Sequence, residues 1–118
     1  MERLGKVRLK GASGAWYRFG VYSMDAMFSA EGAVYLVTSR REKAGGRHGH
    51  RRLLAGQTGD LSARVAEHRR APDLRAANCV CVLAEPAEGE RIRIESDLLS
   101  RYRPPGNPNA AAAGPGKS

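Results

Sequence analysis

The sequence predicts an α+β fold in which a small mixed sheet packs against helices. Three observations predict it. Apolar and polar residues alternate near the N-terminus, two nearly unbroken apolar runs have the length of a strand, and two segments with helical periodicity are interleaved with those runs. With 118 residues the chain has the size of one domain.

The first predicted element is an N-terminal β-hairpin. Residues 7–10 alternate apolar and polar side chains, residues 11–14 are a turn signal, and residues 16–22 are rich in strand-forming types. Trp16 and Arg18 lie on one face of the second strand, and two interpretations stay open for them. They form either a base-stacking patch for nucleic acid or the ordinary packing surface of a hairpin.

The central part of the chain predicts strands and helices in turn. In chain order these are a buried strand at 32–38, an Arg-rich loop at 40–52, a short strand at 52–56, a helix at 61–70, a core strand at 78–85 and a helix at 88–102. Asp60 has the position of an N-cap for the first helix, and the second helix is expected to stop before Pro104.

The domain boundaries follow from these elements and from a change in composition near the C-terminus. We expect the hairpin and its connection at residues 1–31 and a folded domain at 32–108. Residues 109–118 are rich in Ala, Gly and Pro and offer nothing to bury, so they are expected to form a disordered tail.

The charge of the chain points to a polyanionic partner. Lys and Arg number 20 against 12 Asp and Glu, which gives a net charge of +8, and 16 of the 20 cations are Arg. The guanidinium group matches phosphate oxygens better than an ammonium group does, so nucleic acid is the first expectation. The Arg-rich loop and the end of the first helix supply the candidate contacts: Arg47, Arg51, Arg52, Arg69 and Arg70.

Composition also excludes several classes of protein. No apolar run approaches the length of a membrane span, and the N-terminus lacks the apolar core of a secretory signal. Cys79 and Cys81 alternate along a predicted strand at a spacing poor for a mutual disulfide, and two thiols are too few for a zinc site. We therefore expect two buried free thiols and a reducing, cytoplasmic compartment.

Polar residues interrupt the apolar faces of both predicted helices. Arg64 and His68 are neighbours on the first helix, beside its buried stripe. Glu95 falls near the middle of the apolar arc of the second helix, where a carboxylate is costly unless it is paired or binds a metal. Two interpretations stay open for Glu95: a structural ion pair with Arg91, or a cation ligand lining a cleft.

Four blocks of the sequence resemble one known family in their order and spacing. They are residues 32–37 (GAVYLV), residues 54–61 (LAGQTGDL) continuing to Arg64 and His68, residues 91–99 (RIRIESDLL), and Tyr102 with the two prolines and Asn107 that follow it. Together these blocks resemble the GIY-YIG nuclease family, and the resemblance covers residues 32–108.

The resemblance implies a three-stranded antiparallel sheet flanked by helices. It implies a metal-dependent endonuclease that hydrolyses phosphodiester bonds, with Mg²⁺ or Mn²⁺ as cofactor. By position, Tyr35 matches the tyrosine of the first half-motif, Arg64 the catalytic arginine and Glu95 the metal-binding carboxylate. Asn107 matches the distal asparagine, and His68 is a further candidate for proton transfer.

The sequence departs from the family pattern in both half-motifs. Ala33 replaces a glycine in the first, and Leu54 replaces the tyrosine of the second. Leucine can neither donate nor accept a hydrogen bond. The alternative is therefore a catalytically weak or inactive nucleic-acid-binding module of the same fold, and a protein-interaction module is a third option. DNA is favoured over RNA as the partner, and a protein partner is one expected source of target specificity.

Overall fold

Five antiparallel strands and two helices make up the computed structural model, which describes residues 3–42, 44–46, 48–105 and 107. The elements, in chain order, are β1 (Gly5–Lys10), β2 (Trp16–Ser23), β3 (Ala33–Glu42), β4 (His48–Thr58), α1 (Leu61–Arg69), β5 (Cys79–Ala84) and α2 (Glu88–Leu99). Short 3₁₀ turns lie at Ala44–Gly46 and Pro72–Leu74.

The prediction of a three-stranded sheet is wrong, although the fold is α+β. The sheet has five strands in the order β1-β2-β5-β3-β4, and every neighbouring pair is antiparallel. The hairpin of β1 and β2 belongs to this sheet because β2 pairs with β5, with Gly20 opposite Val82. In the larger sheet the apolar face of β2 joins the cluster under α2, where Phe19 is 1% exposed, and this burial favours the pairing.

The prediction of a loop at residues 40–52 is also wrong. β3 continues to Glu42 and β4 begins at His48, so most of this segment is a β-hairpin that turns through Gly45 and Gly46. Both glycines have φ near +80°, a backbone conformation that favours glycine. The sequence pattern misses these strands because it relies on apolar residues and this segment is rich in cations. The ladder forms nonetheless, since its backbone hydrogen bonds require no apolar side chain.

The two helices cover opposite faces of the sheet. α2 packs Ile94 and Leu98 against Phe19, Val34 and Cys81, among others. On the other face, α1 packs Leu61 and Val65 into a cluster that also contains Tyr35, Val37 and Val80. Alternation along the strands sends neighbouring residues to different clusters. The prediction of buried free thiols is confirmed, since Cys79 and Cys81 are both buried and unbridged.

The helix ends agree closely with the sequence. Asp60 is the N-cap of α1, and its carboxylate accepts a hydrogen bond from the backbone N–H of Ala63 at 3.1 Å. α2 ends at Leu99, three residues before the predicted end. No helix in the described part of the chain is long and apolar enough to cross a membrane. The predicted tail and Arg47 lie outside the described residues.

Candidate functional site

Tyr35 and His68 form the centre of the candidate site. Tyr35 lies on β3 and is 3% exposed, and its hydroxyl is 2.8 Å from Nε2 of His68 on α1. Burial raises the pKa of Tyr35 to about 12, so its side chain is a phenol at neutral pH. Burial and the nearby guanidinium of Arg64 lower the pKa of His68, so the imidazole is neutral there and can accept the phenol proton.

The Tyr35 ring requires a glycine on the neighbouring strand. Gly56 is the residue of β4 that pairs with Tyr35. A Cβ atom at this position would lie 2.7 Å from the Tyr35 hydroxyl and 2.9 Å from Cζ, closer than van der Waals contact permits. Gly56 therefore makes room for the Tyr35 ring.

Arg64 lies beside this pair at the surface of α1. Its Nη1 is 3.2 Å from a carboxylate oxygen of Glu67, and the two side chains are each about half exposed. The charge of Arg64 lowers the pKa of both Tyr35 and His68, which places the guanidinium within electrostatic range of both groups. An exposed ion pair of this kind contributes little to stability, so Arg64 can exchange Glu67 for a phosphate at small cost.

Glu95, on α2, lies within electrostatic range of Tyr35. It is half-buried, and burial raises the pKa of its carboxyl group. Its negative charge also contributes to the raised pKa of Tyr35. The interpretation of Glu95 as the ion-pair partner of Arg91 is wrong. Within the described residues the Glu95 carboxylate forms no hydrogen bond or ion pair.

Arg91 instead joins α2 to β4 and to the connection that follows β5. It is 6% exposed, and it donates hydrogen bonds to Gln57 Oε1 at 3.0 Å and to the carbonyls of Glu85 and Pro86 at 3.0 and 2.8 Å. Sequence reasoning missed Gln57 as its partner. Gln57 could be identified only from the topology, because α2 covers the sheet face toward which Gln57 points. The local sequence carries no signal for this contact.

Asn107 is bound to the outer edge of β4. Its Oδ1 accepts a hydrogen bond from the N–H of Ala55 at 2.8 Å, and its Nδ2 donates one to the Ala55 carbonyl at 2.7 Å. The side chain thereby imitates a neighbouring strand at the residue beside Gly56. These hydrogen bonds give Asn107 a positioning role for β4. This role differs from the direct role that the resemblance implies.

Leu54 packs into the cluster under α1, together with Leu53. The ladder between β3 and β4 shifts register here, because Val37 pairs with Leu54 while Thr38 pairs with Arg52. This β-bulge leaves Leu53 unpaired and allows both leucines to contact the same cluster. Leu54 thus lies on the same sheet face as Tyr35.

The predicted nucleic-acid contacts lie in different surroundings. Arg51 and Arg52 line a surface cleft of about 420 Å³ beside Tyr102, and the Arg52 guanidinium stacks 4.4 Å from the Tyr102 ring centroid. Arg69 donates hydrogen bonds to the backbone carbonyls of Met24 and Ala26, so its donors hold the β2–β3 connection. Arg70 is exposed at the end of α1.

A metal at this site would have one carboxylate ligand from the protein. Among the residues that the structure describes, no group of three or more His, Cys, Asp or Glu side chains is close enough to hold an ion. A lone half-buried carboxylate fits Mg²⁺ or Mn²⁺, which keep several waters and take phosphate oxygens as ligands. It does not fit zinc, which takes three or four protein ligands.

In the candidate site Tyr35 is hydrogen bonded to His68, and Arg64 and Glu95 lie within electrostatic range of Tyr35. Asn107 lies at the edge of β4. Comparison with family models, with curated proteins and with solved structures gives no match for this chain.

Proposed function

We propose that this protein is a metal-dependent endonuclease of the GIY-YIG type that hydrolyses phosphodiester bonds in nucleic acid. The observation that carries the proposal is the set of polar and charged side chains around one buried tyrosine. Tyr35 is hydrogen bonded to His68 and lies within electrostatic range of both Arg64 and Glu95. These four side chains are the types that phosphodiester hydrolysis needs: a proton acceptor, a cation for the phosphate and a carboxylate for a metal.

The Tyr35–His68 pair supplies a route for a proton. With its pKa raised to about 12, the phenol cannot act as a base by losing its proton to solvent at neutral pH. It can take a proton from an attacking water while it passes its own to Nε2 of neutral His68, 2.8 Å away. The buried ring and Gly56 hold this geometry in place before substrate arrives.

Arg64 and Glu95 act on charge. The Arg64 guanidinium, at the exposed side of the pair, stabilises the negative charge that grows on the phosphate. Glu95 would hold the Mg²⁺ or Mn²⁺, and a bound ion supplies further charge stabilisation at the phosphate oxygens. A half-buried carboxylate without a protein partner lowers stability, which is a common property of functional residues.

Replacement of Glu95 tests the metal role directly. We expect Glu95→Gln to abolish Mg²⁺-dependent nicking of plasmid DNA while the Tm at pH 7 stays the same or rises, because burial disfavours the ionised carboxylate. Mg²⁺ should raise the Tm of the wild type and not that of the variant. Glu88→Gln, at the exposed start of the same helix, is the matched control. A fall in the Tm of Glu95→Gln with unchanged nicking would overturn the proposal.

The alternative function, a binding module without activity, depends on Leu54. If the site works with one phenol absent, Leu54→Tyr should raise the cleavage rate by roughly tenfold, since about 1.4 kcal/mol of barrier is a factor of ten. That gain should disappear when Glu95 or Arg64 is also replaced. Wild type and Leu54→Tyr that both fold and bind DNA without cleaving it would favour the binding module.

A further inference from the structure

The open face of the N-terminal hairpin carries a cluster of cations around one tryptophan. Residues 3–24 contain five Lys or Arg residues and no Asp or Glu. Cross-strand pairing places Lys6, Arg8 and Lys10 of β1 on the same sheet face as Trp16 and Arg18 of β2. We call these five residues the hairpin patch.

The hairpin patch is exposed, and no carboxylate of the described residues forms an ion pair with it. Trp16 is 56% exposed, and Arg8 and Arg18 are exposed. The Arg8 guanidinium carbon and the Lys10 Nζ lie 4.9 and 5.7 Å from the centre of the indole ring. Within the described residues the ion pairs are confined to α1 and α2, so no carboxylate compensates this face.

The arrangement has a cost that packing does not explain. Arg8 and Arg18 are directly opposite each other across the hairpin. Like charges in such a pair destabilise the hairpin, and no acidic residue lies between residues 3 and 24 to relieve the repulsion. A polyanion would remove this repulsion, and an exposed indole adds a surface for stacking.

The hairpin patch shares a sheet face with the candidate site. One row across the sheet runs from Lys6 through Gly20 and Val82 to Tyr35 and Gly56. Since neighbouring strands are about 4.8 Å apart, β1 lies about 14 Å from β3, which is the length of about four nucleotides of a B-form strand. From this geometry we infer that the hairpin patch binds the phosphodiester backbone of a nucleic acid, with Trp16 as an aromatic platform.

This inference extends the proposed function but is tested by binding and not by cleavage. Trp16 is the only tryptophan, so its fluorescence reports on the hairpin alone. In EDTA, a 20-nucleotide DNA, single-stranded or duplex, should change the Trp16 emission of the full chain. Replacing Arg8 and Arg18 together by Ala should reduce the slope of log affinity against log salt by about 1.4 for single strands or about 1.8 for duplex.

A matched pair of exposed arginines separates contact from net charge. Replacing Arg41 and Arg75 by Ala removes the same charge from exposed positions outside the hairpin patch. The inference is overturned if replacing this pair lowers the salt slope as much as replacing Arg8 and Arg18 does. It is also overturned if adding DNA leaves the Trp16 emission unchanged. The Tm of the Arg8 and Arg18 variant should equal or exceed that of the wild type, because the repulsion is gone.

Trp16 itself distinguishes the two forms of nucleic acid. Trp16→Ala should weaken single-strand binding by roughly ten- to a hundredfold, measured by anisotropy of a labelled oligonucleotide, while Trp16→Phe keeps most of it. Duplex binding should depend on the arginines and not on the indole. If the patch binds DNA but Glu95→Gln leaves nicking unchanged, the proposed function fails and this inference stands. If Glu95→Gln abolishes nicking while the hairpin variants bind normally, the reverse holds.

Discussion

Tyr35 lies in the sheet, packs against α1 and is within electrostatic range of Glu95 on α2. Its ring fills the space that Gly56 leaves open, and its hydroxyl reaches His68. A buried hydroxyl must have a partner, and His68 is the partner that α1 supplies. At the residue scale, the chemistry of the site therefore depends on one close approach and one hydrogen bond.

Adding a methyl group at residue 56 should disturb both features. We expect Gly56→Ala to destabilise the fold by about 1–3 kcal/mol and to reduce any cleavage, because the Tyr35 ring must move and release His68. Urea unfolding and a nicking assay measure the two effects. Gly5→Ala on β1, where a Cβ meets nothing within 4 Å, is the control. Equal stability of the two variants would contradict this account of Gly56.

The lowered pKa of His68 predicts a particular dependence of stability on pH. The unfolded chain binds a proton at this histidine near pH 6.5, and the folded chain does so only at lower pH. The unfolded state therefore holds more protons in that window, and stability is lost as the pH falls below about 6.5. The difference in unfolding midpoint between wild type and His68→Gln, followed from pH 8 to pH 5, should shrink on acidification. A difference that is constant with pH would refute the assignment.

At the scale of elements, α2 holds the two ends of the sheet together. Arg91 joins it to Gln57 of β4 and to the connection after β5. At the other end of the sheet, Asp97 accepts hydrogen bonds from the Ser13 hydroxyl at 2.7 Å and the Tyr17 hydroxyl at 2.6 Å, which fastens the hairpin turn. These hydrogen bonds lower the pKa of the Asp97 carboxyl group. α2 thus aligns the candidate site and the hairpin patch on one support.

Removal of the Arg91 side chain should loosen this support. We expect Arg91→Ala to lower the free energy of unfolding by about 2–4 kcal/mol, because the hydrogen bonds of a buried guanidinium to three acceptors are lost. Arg93→Ala, which removes an exposed ion pair with Glu90 one turn of helix away, should cost much less. Denaturant unfolding of the two variants measures the difference, and similar losses would show that Arg91 is not a structural tie.

At the scale of the whole molecule, positive charge is spread over several surfaces. The net charge is +8, and the described ion pairs are both three residues apart within a helix. One basic surface is the hairpin patch, and another is the cleft where Arg52 stacks on Tyr102. Much of the positive charge is therefore left to attract a polyanion and release its counterions.

The cleft beside Tyr102 should contribute to this attraction. Replacing Arg51 and Arg52 by Ala is expected to weaken DNA binding and to lower the salt slope by about 0.9 for each duplex phosphate that the protein no longer neutralises. Anisotropy titrations between 50 and 200 mM salt measure the slope, with Arg75→Ala as the control for charge. A slope that matches the wild type would remove this cleft from the binding surface.

The sequence by itself determined the features that depend on local pattern. Asp60 caps α1, Cys79 and Cys81 are buried, and β-strands and helices follow each other nearly as predicted, because caps and periodicity depend on residues within one or two turns. The resemblance to a nuclease family is what implies Tyr35, Arg64, His68 and Glu95 as site residues, and their catalytic roles stay predictions.

Tertiary structure alone decided which segments meet. The pairing of β2 with β5, the extension of β3 and β4 through a cationic segment, and the bulge at Leu53 depend on ladder hydrogen bonds between residues far apart in the chain. The same is true of Arg91. Pairing with Glu95 along its own helix was one of two open interpretations, and Arg91 instead satisfies acceptors on two other segments. A buried guanidinium takes whichever acceptors the packing brings to it, and the sequence does not contain that packing.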